Sequence, residues 1–418
     1  MKRKMISVLL MMAVTVVFAG CKKDLPQQDA AEITAKTVDE LEPEDDASLT
    51  LWTGDKDYGD AVAAAFEKKY GVPVTVEEEG MGTVDKMSLS GPAGEGADVY
   101  ITASDNFQKG LSSGVFMKLC DAVSDDVKDR VSDTGVNAVS SEGVMYGVPI
   151  SVEVNCLYYN KDIIDTPAAT LEEIIDKAPQ YNDPSNNKFY FLCTIGDGYY
   201  EFPFVSSGGF QLFGENGDDG DNPGFDTDAY KNGLELISKL HDIMPITSTD
   251  LNNKSSVKSA FMDGNVAYYI SGPWDVTQVK ESGVNFGITT LPTYNGNALT
   301  PFAGMNCAFV SPYTDYPQAA QLFADFLISD EGASILYQYD GITAVSDISN
   351  VTGLAADEYL TPFVEQFEDS VPMPSVTEVS YYWSIASDVD RAVFDGDLTP
   401  EEGQKKSIEE WEALLATN

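Results

Sequence analysis

Cys21 is the residue whose neighbouring sequence most clearly predicts a chemical modification. Residues 2–4 are cationic, residues 6–18 form an apolar run, and a small pair at 19–20 stands directly before the cysteine. This arrangement is typical of a bacterial lipoprotein signal peptide and predicts cleavage after residue 20, with a lipid then attached to Cys21. The lipid would anchor the chain to the outer face of the cell membrane. A plain secretory signal is the alternative, because Phe18 stands where lipoprotein signals usually carry leucine.

Few other residues offer catalytic or metal chemistry. His241 is the only histidine, which excludes a multi-histidine metal site, and no Gly-x-Ser-x-Gly elbow or phosphate-binding glycine loop supports a nucleophile or a nucleotide. We therefore predict no metal, no cofactor and no catalytic residue. A glycosidase that uses two carboxylates is the one common enzyme class that stays open.

The remaining cysteines are scattered. Cys120, Cys156, Cys193 and Cys307 lack the short paired spacing of a zinc or redox motif, and the last three lie in strand-like apolar stretches. Buried free thiols are the first expectation, and a disulfide is the alternative outside the cytoplasm.

The chain is strongly acidic. Its formal charge is −43, and it becomes −46 once the three cationic residues of segment 1–20 are removed. Such a field repels phosphate backbones, so nucleic acid is excluded as a partner, and it suits a neutral ligand better than an anionic one. A solvated acidic shell that keeps the protein soluble also explains this charge.

Residues 21–48 form an acidic segment that has almost nothing apolar to bury, and we predict that it is a disordered tether. The strands and helices that position a site come after it. From residue 48 onward, strand and helix patterns alternate with short connections. This alternation predicts an α/β fold with parallel strands and helices on both faces. About 370 residues suffice for two domains, with a one-domain barrel as the competitor.

Several phrases of this chain resemble the extracellular solute-binding proteins of sugar ABC transporters, most closely their maltose- and maltodextrin-binding members. The resemblance spans about 49–415, and each phrase is weak by itself but specific in this order and spacing. The phrases are LWTGDK at 51–56, ADVYI at 97–101 with Ser104-Asp105, PISVE at 149–153, LYYNKD at 157–162, SGPW at 271–274, LPT at 291–293 and SDEG at 329–332.

The resemblance implies a two-lobed, periplasmic-binding-protein-like fold that closes on a ligand in the cleft between the lobes. The first lobe would comprise 49–152 with 303–345, and the second 153–302 with 346–418. It also implies a monomer that captures a maltodextrin and presents it to the membrane permease of an ABC transporter. The alternatives are another neutral oligosaccharide, such as a xylo- or manno-oligosaccharide, and a surface glycosidase.

The resemblance also implies a set of ligand-binding residues. A sugar ring offers apolar C–H faces and a rim of hydroxyls, so a site needs flat aromatic surfaces and charged hydrogen-bonding groups. At the matching positions this chain carries Asp55, Lys56, Asp105 and Glu153 from the first lobe and hinge, and Asp197, Tyr199, Trp274 and Trp383 from the second lobe.

Five of these assignments have a structural alternative. Asp55 and Asp105 are also suited to cap helix N-termini, and Glu153 to accept amide hydrogen bonds in the hinge. The tryptophans are also suited to core or turn packing, with Tyr381 or Tyr382 taking the place of Trp383. The chain departs from the family pattern where tryptophan and two arginines are expected, and these positions hold Thr102, Asn106 and Ser387.

Overall fold

A computed structural model of the chain describes residues 33–416, except 81, 216 and 352. The predicted signal peptide at 1–20 and the predicted lipid site at Cys21 lie outside the described residues. The strands are β1 (Leu49–Thr53), β2 (Val74–Glu78), β3 (Val99–Ala103), β4 (Ser140–Ser141), β5 (Val144–Met145), β6 (Gly147–Glu153), β7 (Cys156–Asn160), β8 (Phe189–Leu192), β9 (Val266–Ser271), β10 (Phe286–Thr289), β11 (Thr293–Tyr294), β12 (Asn297–Ala298), β13 (Phe302–Val310), β14 (Ile342–Thr343) and β15 (Val371–Pro372).

Helices alternate with these strands through most of the chain and become dominant after β14. They are α1 (Lys56–Tyr70), α2 (Thr83–Ser90), α3 (Phe107–Ser112), α4 (Asp121–Arg130), α5 (Asp133–Ala138), α6 (Leu171–Tyr181), α7 (Gly198–Val205), α8 (Asp228–Ile243), α9 (Ser248–Leu251), α10 (Lys254–Met262), α11 (Val276–Ser282), α12 (Pro317–Phe326), α13 (Asp330–Gln338), α14 (Thr361–Glu368), α15 (Val379–Phe394) and α16 (Pro400–Leu415).

Two main sheets organise the fold, and the predicted α/β class is confirmed. The first sheet has the strand order β14-β6-β13-β3-β1-β2, with β15 attached to β13, and the second has the order β10-β7-β9-β8. The predicted parallel arrangement holds for β1 with its neighbours β2 and β3. We call the body around the first sheet the first lobe and the body around the second sheet the second lobe.

Local sequence explains why the first crossover helix begins and ends where it does. The Asp55 side chain accepts a hydrogen bond from the backbone N–H of Tyr58, which satisfies one of the free amides of the first turn of α1. At the other end Gly71 adopts a left-handed conformation, with φ of 75°, that a side chain would disfavour. The helix therefore starts directly after β1, at the edge of the sheet where Asp55 lies.

The chain passes between the lobes at three places. It leaves β6 for β7 through Val154 and Asn155, which are both fully buried. It returns between β12 and β13, and it leaves again after β14 to reach α14, which packs against β7 and β10. Three neighbouring connections of this kind let two bodies move relative to each other without separating.

The described part of the predicted tether is ordered, which corrects the expectation for residues 33–48. Leu41 and Ala47 are buried in the core, so this acidic stretch carries enough apolar surface to dock. Glu44 accepts hydrogen bonds from the backbone amides of Gln318 (2.7 Å) and Ala319 (3.0 Å). These amides belong to the first turn of α12, where a negative charge is stabilised by the helix dipole.

Two further properties of the described chain concern its cysteines and its helices. Cys120, Cys156, Cys193 and Cys307 are all buried free thiols, which confirms the first expectation for these cysteines. Between residues 33 and 416, at the positions that the structure describes, no helix is long and apolar enough to cross a membrane.

Replacing the docking carboxylate tests the attachment of the N-terminal segment. Glu44→Ala leaves two amides of α12 without their partner, and we expect it to lower the free energy of unfolding by about 1 kcal/mol in urea denaturation. Glu42→Ala, at an exposed position two residues earlier, is the matched control. Equal stability of the two variants would contradict the capping role.

Candidate functional site

A large cavity lies between the lobes and has a volume of about 960 Å³. Its walls come from the ends of β1, β3 and β6 in the first lobe, and from the segments around α7 and after β9 in the second. A mixed apolar and polar cleft of this size is typical of small-molecule binding sites, particularly between two bodies of one chain.

Asp55 lines the cavity, whereas its neighbour Lys56 does not. Asp55 is the N-cap of α1, so the alternative structural role is realised in addition to its position at the cleft. Lys56 is the first residue of the helix, and its ammonium group lies 2.8 Å from Asp60, one turn further along. The structure therefore does not bring Lys56 to the cleft, because the helical geometry directs it to an i,i+4 partner.

Asp105 lines the cavity within a short 3₁₀ turn at Ser104–Asn106. Burial raises the pKa of its carboxyl, while hydrogen bonds from Trp383 and Asn106 act in the opposite direction. Asp105 belongs to the first lobe and Trp383 to helix α15 of the second, so this contact joins the two walls of the cleft. Asn106, which stands where the family carries arginine, also lines the cavity and donates to Asp105 over 3.0 Å.

Glu153 ends β6 at the base of the cleft. Its Oε1 accepts from the side chains of Asn306 (2.9 Å) and Ser151 (3.3 Å) rather than from hinge amides. Its Oε2 is buried and has no hydrogen-bond partner among the described residues. Burial raises the pKa of Glu153 to about 7, and the two hydrogen bonds oppose this shift. The site thus holds a carboxyl oxygen that is removed from bulk water and has no partner among the described residues.

Asp197 and Tyr199 reach the cavity from the second lobe. Asp197 caps α7 by accepting from the Tyr199 N–H (3.0 Å), and its other oxygen lies 2.6 Å from the Lys254 ammonium. The Tyr199 hydroxyl is buried without a partner in the described chain. Burial and then the nearby Glu153 raise the pKa of Tyr199 well above its usual value. The hydroxyl therefore stays protonated and is a hydrogen-bond donor within the cleft.

Trp274 presents a partly open ring to the same cavity. It is 43% exposed, and its ring centroid lies 6.3 Å from that of Tyr199 and 6.2 Å from that of Tyr200. The indole lies over Gly272, where an added Cβ would stand 2.2 Å from the ring. Glycine at 272 is therefore required for this orientation.

Trp383 lines the cavity from the first turns of α15. It packs against Phe302, with ring centroids 5.8 Å apart. The competing tyrosines are used elsewhere: Tyr382 is buried and donates to the Gly198 carbonyl, and Tyr381 packs on Trp411. The helix register thus places Trp383, and not its neighbours, at the cleft.

The structure brings seven of the eight predicted ligand-binding residues to one cavity, but whether each contacts a ligand stays a prediction. Thr102 is fully buried outside the lining, so β3 contributes no aromatic surface there, and Ser387 is not part of the lining either. Sequence reasoning missed a further group of lining residues, which are Tyr58, Tyr200, Lys254, Asn306, Tyr339 and Asp340. Tyr58 lies one turn after Asp55, and Lys254 and Tyr339 lie at helix ends, whereas Asn306 lies within β13 and has no such signal.

The chain matches a family model described as bacterial extracellular solute-binding protein over residues 61–358. It is 29% identical to a galactooligosaccharide-binding protein of Bacillus subtilis (strain 168) over 376 residues, which cover 87% of this chain and 88% of that protein. It is also 29% identical to a maltooligosaccharide ABC transporter solute-binding lipoprotein of Streptococcus pneumoniae (strain ATCC BAA-255 / R6), with 85% and 86% covered.

A solved structure is similar over nearly the same length. This is MalX from Streptococcus pneumoniae in complex with maltopentaose, which superposes with a TM-score of 0.80 at 25% identity. The match covers 88% of this chain and 100% of MalX.

The burial of Glu153 makes stability depend on pH. Its pKa in the folded state, about 7, lies above the usual 4.5, so the native state binds the proton more tightly and loses stability as pH rises through this interval. Glu153→Gln removes this loss. We expect the variant to exceed the free energy of unfolding of the wild type by less than about 1 kcal/mol at pH 5 and by about 3 kcal/mol at pH 8.

Urea denaturation at the two pH values measures this difference. Glu95→Gln, at an exposed position, controls for the loss of one negative charge and should not reproduce the gain at pH 8. A Glu153→Gln advantage that is the same at both pH values would contradict the buried-carboxyl account.

Proposed function

Because this chain belongs to the family of bacterial extracellular solute-binding proteins, we propose that it captures α-1,4-linked gluco-oligosaccharides, such as maltose, maltotriose and longer maltodextrins. It would deliver them to the permease of an ABC transporter. The family consists of extracellular solute-binding proteins, and the two relatives are a galactooligosaccharide-binding protein and a solute-binding lipoprotein of a maltooligosaccharide ABC transporter, so the chain is a binding protein and not an enzyme. A glycosidase is therefore set aside.

The observation that carries this proposal is the combination of surfaces in one interlobe cavity. Trp274, Tyr199 and Trp383 offer flat apolar faces, and Glu153 and Tyr199 offer buried polar atoms without partners in the described chain. Leaving such atoms unpaired costs free energy, which a ligand hydroxyl recovers. Sugar rings supply both the apolar face and the hydroxyls, and their neutrality suits a chain with a charge of −43.

A second candidate ligand is a galacto-oligosaccharide or another neutral oligosaccharide. The Bacillus subtilis relative with that name is as similar in sequence as the Streptococcus pneumoniae one. Thr102 is buried outside the cavity, so the first lobe offers less stacking surface at β3 than the maltodextrin-binding pattern implies. A maltodextrin is preferred because the MalX structure, which matches 88% of this chain with a TM-score of 0.80, is in complex with maltopentaose.

The finer features of the protein belong to the same proposal. The functional unit is a monomer whose lobes comprise 49–152 with 303–345 and 153–302 with 346–418. Asp55, Asp105, Glu153, Asp197, Tyr199, Trp274 and Trp383 contact the sugar, and a lipid on Cys21 holds the protein near its permease.

Replacing the most exposed cleft tryptophan tests the ligand. Maltotriose at about a hundred times its dissociation constant should stabilise the wild-type protein by about 2.7 kcal/mol, and Trp274→Ala should abolish the shift because it removes the stacking face. A thermal-shift screen measures both. Leu89→Ala, at an 83% exposed position outside the lining, should keep the wild-type response. A rise in melting temperature with galacto-oligosaccharides but none with maltotriose would identify the second candidate as the ligand.

The anchor is tested by Cys21→Ala. We expect the wild-type protein to sediment with membranes and to carry a diacylglyceryl mass on its N-terminal cysteine. The variant lacks the sulfur that carries the lipid and should be lost from the membrane fraction. Mass spectrometry of the mature N-terminus provides the measurement. An unmodified wild-type N-terminus would favour the plain secretory signal.

A further inference from the structure

Tyr339 is an aromatic residue that the cleft leaves open to solvent. Within the described chain, the large apolar side chains with the greatest exposure are Leu89, Trp274, Tyr339, Val371 and Leu415. Of these five, Trp274 (43% exposed) and Tyr339 (39% exposed) line the interlobe cavity. Single exposed apolar residues are common on any surface, but two aromatic faces in one cavity indicate a shared ligand.

The first lobe holds Tyr339 in a defined place. Helix α13 ends at Gln338, and the Tyr339 N–H closes the last turn on the Leu336 carbonyl at 3.0 Å. Tyr58 of helix α1 packs against Tyr339 edge to face, with ring centroids 6.3 Å apart and planes at 65°. Edge-to-face packing fixes the ring while leaving one of its surfaces uncovered.

The next residue connects this position to the second lobe. Asp340 adopts a left-handed backbone conformation, with φ of 57°, and its carboxylate accepts a hydrogen bond from Thr277. The Lys280 ammonium lies 3.7 Å from the same carboxylate. Thr277 lies on α11, three residues after Trp274. The Asp340 contacts therefore bring the segment that carries Tyr339 next to the segment that carries Trp274.

We propose that Tyr339 contacts the ligand and that one sugar ring is held between Tyr339 of the first lobe and Trp274 of the second. This inference rests on the proposed function. A pyranose ring has two faces, and aromatic contact on both requires a wall on each lobe. Strand β3 cannot supply the first-lobe wall, since its lining residues are Ile101 and Ala103. Tyr339 supplies it from the end of α13 instead.

Binding titrations by isothermal calorimetry test this assignment with maltotriose and maltopentaose. Tyr339→Ala should raise the dissociation constant by roughly tenfold, the loss expected for one aromatic face. Tyr339→Phe keeps the ring and should stay within about threefold of the wild type. Tyr339→Leu preserves apolar packing against Tyr58 without a flat face, and should bind as weakly as the alanine variant.

A tyrosine outside the cleft provides the matched control. Tyr294 on strand β11 is half-buried and does not line the cavity, so Tyr294→Ala should bind as the wild type does. Unchanged affinity of both Tyr339→Ala and Tyr339→Leu, in a wild type that binds maltotriose, would overturn the role of Tyr339 and leave the proposed function intact. If the wild type binds only galacto-oligosaccharides, the maltodextrin assignment fails, and the same variants are compared with that sugar. Absence of binding to every oligosaccharide would overturn both proposals.

Discussion

The antiparallel pairing of β6 with β13 is the constraint on which the cleft depends. Glu153 pairs with Gly304 and Ser151 with Asn306, and the register shifts directly afterwards, between Asn306 and Cys307. Both strands lead to crossings between the lobes, so their pairing brings two of the three connections together. The same pairing sets the Asn306 amide against the Glu153 carboxyl at the base of the cavity. One ladder therefore determines both where the lobes are joined and where the deepest polar group of the site lies.

Three of the nine buried polar side-chain atoms that lack a partner among the described residues belong to residues that line the cavity. Tyr58 and Tyr199 each have a buried hydroxyl, and Glu153 a buried carboxyl oxygen, without a partner in the described part of the chain. All three residues line the same cavity, which gives a common explanation for groups that are otherwise costly to bury. A ligand that supplies hydroxyls offsets this cost, and aromatic faces beside these groups provide the apolar contacts. Stability of the empty protein and affinity for the ligand are thus linked through the same atoms.

Much of the fold could be predicted from sequence because its signals are local. Alternating strand and helix patterns identified β1, α1, β2 and β3, and the capping sequence around Asp55 explains why α1 begins there. Four of the predicted residues that line the cavity lie within the short phrases, namely Asp55, Asp105, Glu153 and Trp274. Asp197, Tyr199 and Trp383 also line it, and contact of any of the seven with a ligand stays a prediction. Lys56 was predicted to reach the cleft but does not line it, because the helix places its ammonium group beside Asp60, one turn further along. The prediction that residues 33–48 are disordered was wrong. Composition shows that this segment is acidic, but it does not show that two backbone amides of α12 donate hydrogen bonds to Glu44. Tyr339 and Asp340 were not predicted, because a position at the end of α13 is the only local signal and their contact with the helix after Trp274 arises only in the folded chain.

The buried thiols have a consequence for the life of an exported protein. Cys156, Cys193 and Cys307 are almost completely enclosed, and burial raises the pKa of each thiol, so the reactive thiolate form is suppressed. The folded chain therefore gives oxidants and disulfide-exchange catalysts no accessible sulfur at these positions. All four cysteines of residues 33–416 are buried free thiols, so folding of this part of the chain requires no oxidation of a sulfur.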